Sequence, residues 1–447
     1  MAKQTTIFSC SNCGAQSPRW QGRCSECGSW NSLVEETQVT VFAKSKGVVY
    51  EPLSLKEIKQ DNFLRIKTGA VETDRVLGGG IVPGSLVLLG GDPGIGKSTL
   101  VLQIASSLSK SNKKVLYVSG EESPNQIKIR SDRLGTDVNN IFVLGETEIN
   151  SIIQSTASFK PDVLIVDSIQ TVYAAELSSA PGNVSQISYI TNKLLEFAKK
   201  NNVATFIIGH VTKEGNIAGP RVLEHLVDVV LYLEGDRYGH FRVLRGVKNR
   251  FGSTNEAGIF EMAEKGLNEV QNPSLALLSQ KSNSPGSIVF PAMEGTRPIL
   301  VEVQALTSTT PFGYPARKTS GFDTNRLQLL ATVLQKRAGV DLSNQDIYVN
   351  IIGGMTLKEP ALDLPVCLSI VSAFKNKEIP SDIVAFGEIG LSGEIRGVNN
   401  IEKRVLEAEK LGFKKGIIGA GQNAVKSNLK IFTPKTITEA FRYAFRD

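Results

Sequence analysis

No apolar run in the 447-residue sequence approaches the ~20 residues that a helix needs to span a bilayer. The first thirty residues are polar and contain cysteines where a secretory signal would have its apolar core. A large charge excess is also missing, because a formal net charge of +6 over this length is weak evidence for a polyanionic partner. These absences predict a cytoplasmic protein without a membrane partner.

The composition, with 41% hydrophobic and 21% charged residues, is that of a globular protein and excludes disordered and fibrous classes. A chain of this length is too long for one ordinary compact core, so we expect two or three domains. Changes in composition predict a cysteine-rich unit at 1–35, a polar linker at 36–60, and two larger domains at 61–271 and 272–447.

Short β-branched runs alternate with helical periods in the first large domain, which is typical of an α/β fold with a largely parallel sheet. Strands are predicted there at 85–90, 114–120, 140–145, 163–168, 204–210 and 229–235, and helices at 97–110, 123–134, 148–158, 184–200 and 220–226. The last domain has an α+β pattern. Its predicted strands are 287–292, 298–308, 346–352 and 414–419, with a Gly-rich hairpin around 384–398 and helices at 325–337, 363–374, 400–411 and 437–445.

Residues 91–98, GDPGIGKS, form a complete phosphate-binding loop between an apolar strand and a helix. Its glycines allow successive N–H groups to face phosphate oxygens, and the helix that follows adds its dipole. Lys97 is expected to reach the β- and γ-phosphates, and the Ser98 hydroxyl to hold Mg²⁺. We therefore predict ATP binding and hydrolysis. The predicted nucleotide contacts are Gly91, Asp92, Pro93, Gly94, Ile95, Gly96, Lys97, Ser98 and Thr99.

Acidic residues at strand ends are candidates for the rest of the site. Asp167 follows four apolar residues, at the edge of a central strand where a second Mg²⁺-ordering carboxylate belongs. Glu121 or Glu122, after the preceding strand, is a candidate for orienting the attacking water, although both acids could simply begin the next helix. His210 ends another strand and could sense the γ-phosphate or be structural.

A basic segment, RVLRGVKNR at 242–250, ends in a turn at Phe251 and Gly252. Such a turn could deliver Lys248 and Arg250 to a phosphate, either in a nucleic-acid backbone or in the nucleotide of a neighbouring subunit. The spacing does not choose between these targets, and a solvated strand edge is the alternative.

Four of the five cysteines are clustered near the start of the chain, in two CxxCG turns. This spacing predicts a structural Zn²⁺ site with four thiolate ligands and no open position, rather than a redox pair. Arg19, Trp20 and Arg23 lie between the turns and could contact nucleic acid or protein, or pack around the metal. The predicted ligands are Cys10, Cys13, Cys24 and Cys27.

The run KNRFG at 248–252, together with the cysteine motif and the phosphate loop in this order, resembles the RadA (Sms) family of bacterial DNA-repair ATPases over the whole chain. That resemblance implies a RecA-like ATPase core, an N-terminal zinc motif and a C-terminal Lon-protease-like domain. It further implies a DNA-dependent, helicase-like motor that binds single-stranded DNA and branched recombination intermediates. Branch migration with the RecA recombinase and a hexameric ring are implied as well, with loops 170–186 and 211–220 facing the channel.

The C-terminal domain makes an ATP-dependent protease the main competing class. The stretch 358–363 resembles the nucleophile loop of Lon proteases, but Ala361 stands at the serine position and has no oxygen to attack a carbonyl. The lysine position aligns with Glu402, or with Lys403 if the alignment slips by one residue. We therefore expect a non-catalytic scaffold. A signalling ATPase that does not use DNA is the second alternative.

Overall fold

A computed structural model describes residues 4–10, 15–39, 65–209, 223–235, 241–279, 281, 283–311, 313–419 and 426–445. The chain divides into two compact units, one of residues 1–234, 244–254 and 263–267 and the other of 235–243, 255–262 and 268–447. This division does not test the domain limits predicted from the sequence, which stay predictions. In the part of the chain described, no helix is both long and apolar enough to cross a membrane.

The cysteine-rich segment forms a small antiparallel sheet in the order β2-β1-β3, with Cys10 opposite Leu33. The last of these strands runs into the predicted linker, of which residues 40–60 lie outside the described ranges. The strands are β1 Gln4–Cys10, β2 Gln16–Ser17 and β3 Leu33–Val39.

The α/β core of the first unit is a sheet of parallel strands in the order β9-β4-β8-β7-β5-β6. Four of these strands are buried along their whole length, because helices cover both faces of such a sheet. All six predicted strands of this region are confirmed. Their bounds are β4 Leu86–Gly91, β5 Val115–Ser119, β6 Ile141–Leu144, β7 Val163–Asp167, β8 Ala204–Ile208 and β9 Val229–Glu234.

Four of the five helices predicted in this region are confirmed, and α1 was missed. The predicted helix at 220–226 is wrong where it is described, because residues 223–226 form turns. The carbonyl groups of Glu224 and His225 in this segment accept hydrogen bonds from the Lys248 side chain. The helices are α1 Val71–Val76, α2 Lys97–Lys110, α3 Pro124–Leu134, α4 Ile149–Phe159 and α5 Val184–Asn201.

Three strands and a short helix follow, where the sequence predicted a basic segment that ends in a turn. They are β10 Phe241–Asn249, β11 Ala257–Ala263, β12 Gly266–Glu269 and α6 Pro273–Leu278. In the strand order of the first unit, β10 lies next to β9.

The second unit has a mixed sheet in the order β15-β16-β14-β13-β17-β20-β21. Helix α8 is buried almost throughout, which explains why its sequence is apolar on every face. The predicted hairpin around 384–398 covers fewer residues than expected. Strand β17 joins the large sheet, and β18 and β19 pair with each other as the hairpin. The strands are β13 Ser287–Glu294, β14 Arg297–Thr309, β15 Arg317–Ser320, β16 Gln345–Ile351, β17 Ile383–Phe386, β18 Glu388–Ile389, β19 Ile395–Arg396, β20 Lys415–Ile418 and β21 Lys430–Phe432. The helices are α7 Thr324–Ala338, α8 Asp363–Lys375, α9 Ile401–Lys410 and α10 Ile437–Ala444.

Candidate nucleotide and metal sites

The phosphate loop joins the end of β4 to the start of α2, as its motif predicts. Gly91 has a φ of 150°, and a Cβ there would lie 2.5 Å from the Leu233 carbonyl oxygen, so only glycine fits. Gly96 has a φ of 116° and immediately precedes α2, whose first residue is Lys97. The loop backbone is therefore held at a helix N-terminus, the position that favours phosphate. Asp92, Pro93, Gly94 and Ile95 form the loop between these glycines, and Ser98 and Thr99 lie half-buried in the first turn of α2.

Lys97 is buried beneath the loop, with an exposed fraction of 3%. Its Nζ donates hydrogen bonds to the carbonyl oxygens of Gly91 at 2.8 Å and Asp92 at 3.0 Å. Burial lowers the pKa of the Lys97 ammonium to about 8, although the nearby carboxylates, that of Asp167 first, act in the opposite direction. The cation is thus held where β- and γ-phosphates would lie in a loop of this type.

Asp167 ends β7 and is 7% exposed. Its Oδ2 accepts a hydrogen bond of 2.6 Å from the hydroxyl of Tyr117, which lies in β5. Burial, and then the charge of Asp167, raise the pKa of Tyr117, so the phenol keeps its proton and remains a donor. The predictions did not include Tyr117. The sequence feature that could have identified it is a tyrosine within the apolar run KVLYVSG, because a buried hydroxyl needs a hydrogen-bond partner.

The two adjacent glutamates after β5 have different partners. Oε1 of Glu121 accepts a hydrogen bond from the hydroxyl of Ser168, the residue after Asp167. Oε1 of Glu122 accepts one from Arg130 of α3. The capping box of α3 is formed by Ser123 with Gln126. Neither acid is therefore needed to begin the helix, and Glu121 is the one tied to Asp167 through its neighbour.

The structure brings Lys97, Asp167 and Glu121 together at the carboxyl edge of the sheet, because the parallel strands β4, β5 and β7 end there. Two predicted residues cannot be placed in this way. His210 and Cys13 lie outside the described residues, as does the loop 211–220.

Lys248 and Arg250 lie at the opposite edge of the same sheet. Lys248 Nζ donates to the carbonyl oxygens of Glu224 at 2.6 Å and His225 at 3.2 Å. Burial, followed by the charge of Arg250, lowers the pKa of Lys248. Residues 224 and 225 precede β9, and β9 runs parallel to β4. The contacts of Lys248 are thus at the amino edge.

Arg250 is bound at the same edge by Asp228, which is 2% exposed. Nη1 of Arg250 donates to Oδ1 of Asp228 at 3.1 Å, and the backbone N–H of Leu86 donates to Oδ2 at 3.2 Å. Leu86 begins β4, whereas the phosphate loop starts at its far end, Gly91. Five residues of strand span about 16 Å. The structure therefore does not bring these two cations to the phosphate loop of their own chain.

Arg65 holds the turn that ends the basic segment, and the predictions did not include it. Its guanidinium donates to the carbonyl oxygens of Phe251 at 2.6 Å, Leu77 at 3.0 Å and Gly80 at 3.3 Å. Asn249 fixes the other side of the turn by accepting a hydrogen bond of 2.9 Å from the N–H of Phe251. Because 186 residues separate Arg65 from Phe251, no local sequence pattern could predict this contact.

Three of the four predicted zinc ligands converge. The Sγ atoms of Cys10, Cys24 and Cys27 all lie within 4.8 Å of one another, with 3.6 Å between Cys10 and Cys27. Thiolates at the corners of a zinc tetrahedron are about 3.8 Å apart. Cys24 and Gly28 close one turn through a backbone hydrogen bond of 3.0 Å. The three thiols and their spacing fit a zinc site. The distance between the Cys10 and Cys27 sulfurs is too long for a disulfide bond.

Both tryptophans of the chain lie in this segment, and both are exposed. Trp20 is 57% exposed and Trp30 is 72% exposed. The guanidinium of Arg23 lies 5.8 Å from the ring centre of Trp30, a cation–π distance. Arg23 Nε also donates a hydrogen bond of 2.9 Å to the carbonyl oxygen of Gly28, so packing around the second cysteine turn accounts for Arg23 but not for the exposed ring of Trp20.

The C-terminal unit has no serine-lysine dyad at the predicted positions. Ala361 is 2% exposed, in a short turn whose carbonyl accepts a hydrogen bond of 2.9 Å from Gly387. Glu402 and Lys403 are both exposed on α9. Their alignment with the lysine position stays a prediction. The buried cation that contacts Glu359 in this loop is Arg404, the residue after Lys403.

Arg404 is 3% exposed and fully engaged. It is paired with Glu359, donates to the carbonyl oxygens of Pro291 and Asn399, and lies 5.7 Å from the ring centre of Phe290. The sequence alone did not single it out.

Family models match three parts of the chain. One described as an AAA domain matches residues 54–216, and one described as a rubredoxin metal-binding domain matches residues 8–35. A third, described as subunit ChlI of Mg-chelatase, matches residues 324–422. The first contains the phosphate loop and Asp167, and the second contains all four predicted zinc ligands.

Full-length relatives decide the family. The chain is 51% identical to the DNA repair protein RadA of Halalkalibacterium halodurans, over 98% of each chain. It is 52% identical to the protein of that name from Bacillus subtilis, over 94% of this chain and 93% of the other. The protein of that name from Listeria monocytogenes is 48% identical, over 100% of this chain and 99% of the other. The chain belongs to the RadA family.

Membership of the RadA family confirms the resemblance, and the matched regions confirm the fold class: an α/β P-loop ATPase core of the RecA-like kind, a cysteine zinc ribbon and an α+β C-terminal domain of the ChlI and Lon-like kind. A solved structure described as the RadB recombinase matches 46% of this chain and 99% of that chain at 25% identity, with a TM-score of only 0.37.

Replacing Cys24 should remove the metal. We expect Cys24→Ser to reduce zinc from about one ion per chain to near none, because three thiolates and a hydroxyl hold zinc poorly. Inductively coupled plasma mass spectrometry of the purified protein measures this. Cys367→Ala is the control, since Cys367 is buried in α8, apart from this cluster in the sequence. Full zinc content in Cys24→Ser would contradict the site.

The lowered pKa of Lys97 should appear as proton uptake on nucleotide binding. The free ammonium loses its proton above about pH 8, whereas bound phosphates favour the charged form and raise its pKa. We expect little uptake at pH 7 and an uptake approaching one proton above the pKa, with affinity for ADP falling by up to about tenfold per pH unit. Calorimetry in two buffers of different ionisation heat measures this uptake. In Lys97→Arg, whose guanidinium stays charged, the uptake should vanish.

Proposed function

We propose that the protein is a DNA-dependent ATPase that acts in DNA repair and homologous recombination. In this proposal it binds single-stranded DNA and promotes branch migration of recombination intermediates together with a RecA recombinase. The observation that carries the ATPase part is the convergence of Lys97, Asp167 and Glu121 below a complete phosphate loop. Relatives named as DNA repair proteins support the biological role.

Phosphate binding in this proposal uses the loop amides and Lys97. The Lys97 ammonium exchanges its hydrogen bonds to two loop carbonyl oxygens for the β- and γ-phosphate oxygens of ATP. Because the ammonium is already buried, little further desolvation opposes this exchange. When bound, Mg²⁺ would supply positive charge against the phosphate oxygens, and Ser98 and Asp167 are the residues that would hold it.

Glu121 is assigned to the attacking water. It lies close enough to Lys97 to affect the pKa of that ammonium, and Ser168 holds one of its carboxylate oxygens. A carboxylate held in this way orients a water for attack on the γ-phosphate. Glu122 is engaged by Arg130 and takes no part.

Lys248 and Arg250 support an assembly of several subunits. Both lie at the amino edge of the sheet, about 16 Å of strand away from their own phosphate loop. In a closed ring, here proposed to be hexameric, they can face the nucleotide of a neighbouring subunit or the DNA. The first target makes hydrolysis depend on the neighbour.

The DNA contact is assigned to the loop 170–186 and the loop 211–220. Gln186, which is 1% exposed, fixes the base of the first loop: its Oε1 accepts a hydrogen bond of 2.8 Å from the N–H of Ala174, and its Nε2 donates to the Ala174 carbonyl oxygen. A protease is disfavoured, because Ala361 offers no nucleophile and Arg404 is consumed by its pair with Glu359.

Single-stranded DNA should raise the rate of ATP hydrolysis. We expect this stimulation to weaken as salt rises, because binding to phosphates releases counterions.

Lys97→Ala should lower turnover by roughly two to three orders of magnitude with unchanged thermal unfolding, since it removes the charge that stabilises the transferred phosphoryl group. The rate of phosphate release measures both the stimulation by DNA and the loss of turnover in Lys97→Ala. A DNA-independent rate would favour the signalling ATPase, and unchanged turnover in Lys97→Ala would remove the ATPase assignment.

Mixing two inactive variants should restore activity if Lys248 acts across an interface. In a random 1:1 mixture of Lys97→Ala and Lys248→Ala, about a quarter of the sites would pair an intact loop with an intact lysine from the neighbour. We therefore expect partial recovery of ATP hydrolysis.

The control for this mixture is Arg245→Ala. Arg245 lies on the same strand but on its other face, where it is paired with Glu234 at 2.9 Å. This variant should be active alone and should only be diluted by Lys97→Ala. No recovery in the Lys248 mixture would favour a role for Lys248 on DNA alone.

A further inference from the structure

Tyr117 lies in the middle of β5 and places its hydroxyl against the carboxylate of Asp167. The strand register puts Ser119 opposite Asp167, and alternation along the strand puts Tyr117 on the same face as Ser119. From there the phenol reaches diagonally to Oδ2 of Asp167, at 2.6 Å. Neither the phosphate loop nor the pattern of an acid after an apolar strand includes this residue.

Both partners of this hydrogen bond are buried. Tyr117 is 1% exposed and is among the largest fully buried side chains of the described chain. A buried hydroxyl without a partner costs free energy, whereas phenylalanine would fill the same space without that need. The hydroxyl is therefore accounted for by its bond to Asp167, not by packing.

The hydrogen bond leaves one carboxylate oxygen available. Tyr117 donates to Oδ2, and no described residue donates a hydrogen bond to Oδ1 of Asp167. The bond to Oδ2 limits rotation of the carboxylate, so the direction of Oδ1 is fixed as well. A carboxylate in a site of this kind orders a metal ion best when its orientation is set in advance.

We propose that Tyr117 is a positioning residue that orients Asp167 for Mg²⁺. This rests on the proposed ATPase function, which assigns Asp167 to the metal. Tyr117 itself touches neither nucleotide nor metal. It acts through Asp167 alone, so its removal changes the requirement for Mg²⁺ and leaves metal-free nucleotide binding as it was.

The experiment compares Tyr117→Phe with the wild-type chain by equilibrium binding of a fluorescent ADP analogue while MgCl₂ is titrated, without turnover. Loss of an outer-shell partner costs roughly tenfold or more in metal affinity, so we expect the half-saturating Mg²⁺ concentration to rise about tenfold. Binding measured in EDTA should not change. Tyr189→Phe is the matched control, because it removes a hydroxyl from α5, where the Tyr189 ring lies beside Lys193 at 5.4 Å. It should behave as wild type.

A double mutant tests whether the effect passes through Asp167. In the Asp167→Ala background, Tyr117→Phe should add no further change in the Mg²⁺ requirement. An unchanged requirement in the single variant overturns the proposal, and so does an equal shift in both backgrounds. Loss of fold in Tyr117→Phe overturns it too, because the hydroxyl would then serve stability. If the wild-type chain shows no Mg²⁺-dependent nucleotide binding, the ATPase proposal itself fails.

Discussion

The parallel register of β4, β5 and β7 is the constraint on which the candidate site depends. Parallel strands end at one edge of a sheet, so Gly91, Ser119 and Asp167 arrive together although 76 residues of sequence separate the first from the last. The same constraint puts the strand beginnings, with Leu86 and Asp228, at the other edge. One sheet thus provides two separate positions for charged groups, and the distance between them is set by strand length.

Burial determines how the charges at both edges are arranged. At the carboxyl edge the buried ammonium of Lys97 has a lowered pKa, and the buried carboxylate of Asp167 is satisfied by a neutral phenol and not by an ion pair. That arrangement keeps the Lys97 charge available for phosphate. A direct pair between Lys97 and Asp167 would satisfy both groups but would have to be broken for each nucleotide, at the large cost of separating buried charges.

Local motifs could be predicted from the sequence, whereas long-range partners could not. The phosphate loop, the acid at the end of β7 and the cysteine spacing each lie within a few residues, and their residue types alone limit the possible chemistry. The partner of Tyr117 is 50 residues away, that of Arg65 is 186 and that of Arg404 is 45. Such contacts depend on strand order and helix packing.

The turn that ends the basic segment, at Phe251 and Gly252, makes more hydrogen bonds to the rest of the chain than a solvent-exposed turn needs. Arg65 and Asn249 bind its backbone, and the buried Asp228 binds the cation of Arg250. A surface hairpin that only attracted a polyanion would gain nothing from such rigidity, because a polyanion offers many equivalent phosphates. A single γ-phosphate across an interface offers one position and demands accurate placement. The construction of this turn supports our proposal that Lys248 faces the nucleotide of a neighbouring subunit, which would make hydrolysis depend on assembly.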